Sequence, residues 1–62
     1  MMKVGDLVTR KSYHNDVTFC IIGFTTGEDG EIMAILKALY NHSFIVDAPI
    51  ADLENILAQG KL

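Results

Sequence analysis

The feature that most constrains this chain is an alternating run of β-branched and aromatic residues from Val17 to Phe24, which predicts a strand. Val17, Phe19 and Ile21 fall on one face of that strand. Gly23 interrupts the run and predicts a bulge or a bend, as in a small sheet that curls over itself. The Asp29-Gly30 pair that follows predicts a tight hairpin turn, because both residues tolerate positive φ. The sequence therefore predicts a mainly β fold.

Shorter runs on either side of this hairpin predict three more strands. The third strand alternates less cleanly than the second, so both of its faces are expected to be partly covered. We expect a meander of four short strands joined by polar turns. The three further runs are Leu7–Arg10, Glu31–Leu39 and Ser43–Val46, the last of them ended by Asp47.

The C-terminal segment has two interpretations. From Pro49 the apolar spacing changes to three and four at Ile50, Leu53 and Leu57, which is typical of one helical face. Pro49 suits a first turn and Gly60 suits a stop, which together favour a helix of about ten residues. The alternative is a single 3-10 turn over Pro49 to Leu53 followed by a fifth strand, because small barrels usually have five strands.

The chain length limits the domain organisation. A chain of 62 residues has room for one modest core, and its apolar share of 50% favours a packed globule. We therefore expect residues 1–62 to be a single module. The expected fold is a small SH3-like curled barrel of four to five antiparallel strands with a short C-terminal helix or 3-10 turn.

The charge and hydropathy patterns argue against nucleic-acid and membrane partners. The formal net charge is -3, and the densest cationic site is the Arg10-Lys11 pair, so no basic patch is present. No apolar run approaches the roughly 18 residues of a membrane helix. The amino terminus lacks a secretory signal, and the single cysteine cannot form an internal disulfide, so we expect a cytoplasmic protein.

The residues that could carry catalysis do not form a recognisable set. Cys20 with His14 or His42 invites a thiol-protease interpretation, since a thiolate nucleophile needs a nearby imidazole. However, Cys20 lies within an apolar strand, where a thiol is usually a small hydrophobe. The histidines lie in separate turns without a second cysteine, which argues against a metal site. We expect no catalytic, metal or cofactor site in this chain.

One polar segment carries recognition chemistry. Arg10, Lys11, Ser12 and Tyr13 place two cations, a hydroxyl and an amphipathic ring at a strand-loop junction, where they could bind an acidic peptide. The alternative is that Tyr13 covers the rim of the core while both cations are solvated. An aromatic cage for a methylated ammonium is less favoured, because in so small a domain several aromatic residues must be core. The five aromatic residues are Tyr13, Phe19, Phe24, Tyr40 and Phe44.

Several short strings occur in a fixed order along nearly the whole chain and are more specific than a strand pattern. They are Val4-Gly5-Asp6-Leu7-Val8-Thr9-Arg10-Lys11-Ser12-Tyr13, Asp16-Val17 with Phe19, Ile21-Ile22-Gly23, Ala34-Ile35-Leu36 and Asp52-Leu53. In these strings the chain resembles the amino-terminal region of the YabG family of sporulation-specific proteases. The segment Lys37 to Ser43 departs most from the expected pattern.

The resemblance implies a role that residue patterns alone do not give. YabG proteins are expected to be cysteine-type endopeptidases that process spore-coat proteins, with the catalytic Cys and His downstream of this region. The chain would then be a non-catalytic N-terminal fragment, in the mother cell or forming spore coat. It would contact coat substrates or the catalytic domain of the same chain. The alternative is a stand-alone SH3-like module with a protein-binding or structural role.

Overall fold

A computed structural model of the chain describes residues 2–57. Within that range five strands form one antiparallel sheet in the order β4-β3-β2-β1-β5. The strands are β1 Leu7–Arg10, β2 Thr18–Thr26, β3 Ile32–Ala38, β4 Ile45–Pro49 and β5 Leu53–Asn55, with 3-10 turns at Lys11–Tyr13 and Ile50–Asp52. The prediction of a mainly β fold with four to five antiparallel strands is confirmed. No helix among the described residues is long and apolar enough to cross a membrane.

The C-terminal segment follows the second of the two interpretations. A 3-10 turn at Ile50–Asp52 leads directly into β5, whose Leu53 pairs with Arg10 of β1. The helical interpretation is wrong for the described residues, because pairing with β1 satisfies the backbone and buries Leu53 in the core. The predicted helix stop at Gly60 lies outside the described residues.

Strand β4 differs from its predicted bounds. It begins at Ile45 and continues through Asp47 to Pro49, whereas the sequence predicted a strand from Ser43 ended by Asp47. Asp47 is tolerated because β4 is an edge strand and this side chain is exposed. Pro49 is the last residue of the strand, a position where a proline costs little pairing.

The predicted irregularity at Gly23 is confirmed. Ile21 pairs with Leu36 and Gly23 pairs with Ile35, so Ile22 is an extra residue in β2. Such a bulge bends its strand and increases the local twist. It therefore changes the direction of the β2–β3 hairpin where the hairpin leaves the core.

The core lies along cross-strand rows of the sheet. Phe19 of β2 pairs with Val8 on one side and Ala38 on the other, and all three are fully buried. Phe19 and Ile21, which are predicted to share one face of β2, are both fully buried, so that face is directed toward the core. Ile32 of β3 is 57% exposed because it lies near the hairpin tip, beyond the core. The other fully buried apolar residues are Ala34, Leu36 and Ala48.

The sheet is open within residues 2–57. Strands β4 and β5 are its two edges and do not pair with each other there, so the sheet is not closed into a ring. The SH3-like classification therefore stays a prediction.

Gly30 and Gly23 differ in backbone conformation, so an alanine substitution at each position tests the conformational role of the glycine. Gly30 has φ of +83°, so Gly30→Ala should destabilise the domain by about 1–2 kcal/mol, the cost of a left-handed alanine. Gly23 has no positive φ, and an added Cβ there would meet only Ile35 Cδ1, at 3.6 Å. Gly23→Ala should change stability by less than about 1 kcal/mol. Urea denaturation measures both variants, and equal losses would contradict this assignment of backbone roles.

Candidate functional site

Three polar side chains meet where the two 3-10 turns come together, and we call Arg10, Ser12 and Asp52 the Asp52 cluster. Arg10 Nε donates to Asp52 Oδ2 at 2.9 Å. The backbone N–H of Ser12 donates to Oδ1 at 2.9 Å, and its hydroxyl donates to Oδ2 at 2.6 Å. The turns are adjacent because β1 pairs with β5, which places the end of one strand beside the start of the other.

The cluster is partly shielded from solvent. The side chains of Arg10 and Asp52 are 13% and 17% exposed. The hydroxyl of Ser12, followed by the Arg10 guanidinium, holds the pKa of the Asp52 carboxyl below its usual value. The carboxylate is therefore charged at neutral pH and joins two segments that are far apart in sequence.

The predicted binding segment, Arg10 to Tyr13, makes mostly internal contacts. The Arg10 guanidinium lies 4.4 Å from the centre of the Tyr13 ring. That ring packs on the Phe19 ring, with the two ring centroids 6.1 Å apart. Tyr13 is half-buried against the core, as its non-binding interpretation expects. The same interpretation is wrong for Arg10, which is not solvated because it pairs with Asp52. Lys11 is exposed, and its Nζ is 3.3 Å from the carbonyl oxygen of Ala51. Binding of a partner by this segment stays a prediction.

A shallow groove adjoins the cluster. Since Arg10 is already paired with Asp52, Lys11 is the cation of the segment that a partner could reach most easily. An anionic partner would also meet the carboxylates of Glu31 and Asp52. The groove is lined by Arg10, Ser12, Glu31, Pro49, Ala51 and Asp52.

The cysteine lies in a strand, and the two histidines lie in turns. Cys20 is half-buried in β2, where its partners in the strand register are Leu7 and Lys37. Its thiol donates to the Ile21 carbonyl at 3.6 Å. His14 and His42 are exposed in separate turns. Within residues 2–57 no group of three His, Cys, Asp or Glu side chains could hold a metal ion.

Four aromatic residues form a continuous series rather than an open cage. Phe19, which is fully buried, contacts Tyr13 on one side and Phe44 on the other. The rings of Phe44 and Tyr40 then form a T-shaped pair, with their centroids 6.2 Å apart. Tyr40 is the solvent-exposed end of this series, and its ring is supported from the core.

One known protein family matches nearly the whole chain. The family model described as YabG peptidase U57 matches residues 3–61. The chain belongs to the YabG peptidase family. The match covers all five strands and the Asp52 cluster, so this YabG-family domain includes every element described above. No curated protein and no solved structure matches the chain.

Sequence reasoning identified Arg10 and Ser12 but missed their partner in this YabG-family domain. From the sequence, Asp52 is singled out only within the Asp52-Leu53 string, with no partner assigned to it. The contacts from Asp52 to Arg10 and Ser12 span 42 and 40 residues of sequence. No local signal indicates a contact at that separation.

The Asp52 cluster predicts an acid-sensitive component of stability. The folded pKa of Asp52 is lowered from the ordinary value of 3.8, so its contribution is present above that value and lost as pH falls through the folded pKa. Asp52→Asn should lower the free energy of unfolding at pH 7 by about 1–3 kcal/mol, because a charge-assisted network is lost. It should also reduce the additional loss of stability below about pH 4.

Urea denaturation between pH 7 and pH 2 measures both effects. Some acid dependence should remain in the variant, because hydrogen bonds from Lys3 lower the pKa of Asp6 as well. Asp47→Asn is the matched control, because Asp47 is exposed on β4. Identical pH profiles for wild type and Asp52→Asn would contradict a stabilising role for the cluster.

Proposed function

We propose that this chain is a non-catalytic N-terminal domain of a longer cysteine-type endopeptidase that processes spore-coat proteins, and that it positions protein substrates or partners. The observation that carries the proposal is the family match over residues 3–61. Cys20, the cysteine of this sheet, lies in β2 opposite Leu7 of β1 and Lys37 of β3. A thiol nucleophile needs an imidazole beside it. The histidines within residues 2–57 are exposed in turns instead.

The hydrogen bonds at one end of the sheet support a positioning role. The Asp52 cluster fixes the loop after β1 against the turn before β5. Lys11 and Ser12 remain exposed on this fixed support. A surface that is already ordered loses less conformational entropy when a partner binds. The proposed partners are spore-coat substrates or the catalytic domain of the same chain, in the mother cell or forming coat.

A structural role is the second candidate. Strands β4 and β5 are the edge strands of the sheet among residues 2–57, and large apolar side chains such as Val4 and Ile45 are exposed. Edges and apolar surface of this kind can pack on another domain or copy. In that case the module would stabilise the enzyme without contacting its substrate.

Deleting residues 1–57 from the natural full-length protein separates the two roles. The substrates are an intact coat protein and a short peptide that carries the same cleavage site. Positioning predicts that KM for the intact protein rises by about tenfold, which corresponds to about 1.4 kcal/mol of binding, while cleavage of the peptide is unchanged. A structural role predicts loss of both activities together with a lower Tm. Unchanged cleavage of both substrates would rule out both roles.

A point variant tests the predicted binding segment in the same assay. Lys11→Ala should raise KM for the intact protein, because Lys11 is the exposed cation beside the Asp52 cluster. Lys37→Ala is the charge control, since Lys37 lies on β3, outside that segment. Equal increases in KM for the two variants would show that substrate binding depends only on the overall charge of the domain and not on the segment from Arg10 to Tyr13.

A further inference from the structure

A second concave surface lies where β2 begins and β3 ends, and we call it the Tyr40 groove. It shares no residue with the groove beside the Asp52 cluster. Its backbone is fixed by two hydrogen bonds, from Leu39 N to Thr18 O at 3.1 Å and from Asp16 N to Tyr13 O at 3.1 Å. The groove is lined by Asp16, Val17, Thr18, Leu39 and Tyr40.

The apolar walls of this groove are unusually open to solvent. Leu39 is 45% exposed and Tyr40 is 70% exposed. The Tyr40 ring is nevertheless supported, because its contact with Phe44 continues to the buried ring of Phe19. An exposed aromatic ring held by the core is typical of a binding surface.

Asp16 supplies the charge at this site. Its side chain is exposed and forms no ion pair with any residue from 2 to 57. A carboxylate beside a tyrosine ring matches a ligand cation, which the ring attracts through its quadrupole. The apolar surface of Leu39 and Val17 matches an adjacent aliphatic side chain.

We propose that the Tyr40 groove binds an extended peptide segment in which a lysine or arginine lies next to an aliphatic residue. The cation lies against Tyr40 and Asp16, and the aliphatic side chain packs on Leu39. The charge of the domain favours this occupant over a second copy or an anionic surface, since the chain carries a net charge of -3. The inference rests on the proposed positioning role and specifies the chemistry of the positioned segment.

Amide chemical-shift mapping on the isotope-labelled 62-residue chain tests the groove directly. The probe is the peptide acetyl-Gly-Ser-Leu-Lys-Ser-Gly-amide. One control peptide replaces its lysine with glutamate, and the other replaces its leucine with serine. We expect shifts at residues 16–18 and 39–40, with millimolar affinity for so small a contact. Both control peptides should bind at least about threefold more weakly, since each loses one component of recognition.

Variants of the domain complete the test. Asp16→Asn and Tyr40→Ala should each lower the affinity for the lysine peptide by about three- to tenfold. Tyr40→Phe should retain binding, because the face of the aromatic ring remains. Asp47→Asn is the charge control on β4 and should leave affinity unchanged. The amide spectrum of each variant confirms that it is folded. Equal binding of the lysine and glutamate peptides, shifts confined to other surfaces, or no shifts at millimolar peptide would overturn the proposal.

The groove and the positioning role can fail separately. If deletion of residues 1–57 raises KM for the intact coat protein but Tyr40→Ala does not, the groove proposal is wrong and positioning stands. If the lysine peptide binds at the groove but deletion leaves cleavage unchanged, the groove is a peptide site and the positioning role is wrong.

Discussion

The carboxylate of Asp52 is the constraint on which the arrangement of this domain depends. The chain must leave β4 at one edge of the sheet and start β5 at the other edge. Asp52 lies at the end of that crossing and accepts hydrogen bonds from Arg10 and Ser12 at the end of β1. The two strands that must pair are therefore held together at the point where their pairing starts. A small core gains much from such a link, because its apolar burial only narrowly exceeds the entropy cost of folding.

The same link determines which side chains are left for function. The guanidinium of Arg10 pairs with Asp52 and also lies over the Tyr13 ring. The contacts of this cation are therefore internal to the domain. The chemistry that remains accessible is that of Lys11 at the rim and of Asp16 with Tyr40 farther along the same end of the sheet. These residues suit contact with proteins rather than bond cleavage. That division is consistent with the accessory role proposed for this YabG-family domain.

Local signals predicted most of the fold, and long-range contacts account for what was missed. The alternation in β2, the bulge at Gly23 and the hairpin turn that ends at Gly30 are encoded within a few residues, although of the predicted Asp29-Gly30 pair only Gly30 has a positive φ. The C-terminal segment was ambiguous because the spacing of its apolar residues fits a helix, and only pairing with β1 decides for a strand. The Arg10 to Tyr13 segment was identified by composition, but its partner Asp52 is about 40 residues away in sequence. The Tyr40 groove could not be predicted, because it requires Thr18 and Leu39 to be neighbours.

The proposed accessory role requires that no residue of this domain takes part in bond cleavage, and Cys20 gives its most direct test. Cys20→Ser in the natural full-length protein, assayed on a short peptide substrate, should leave kcat unchanged, because this thiol lies half-buried in the sheet and donates to the Ile21 carbonyl. The melting temperature of the variant shows whether the protein is still folded. Loss of turnover in a protein that melts at the wild-type temperature would place the nucleophile in this domain and contradict the account.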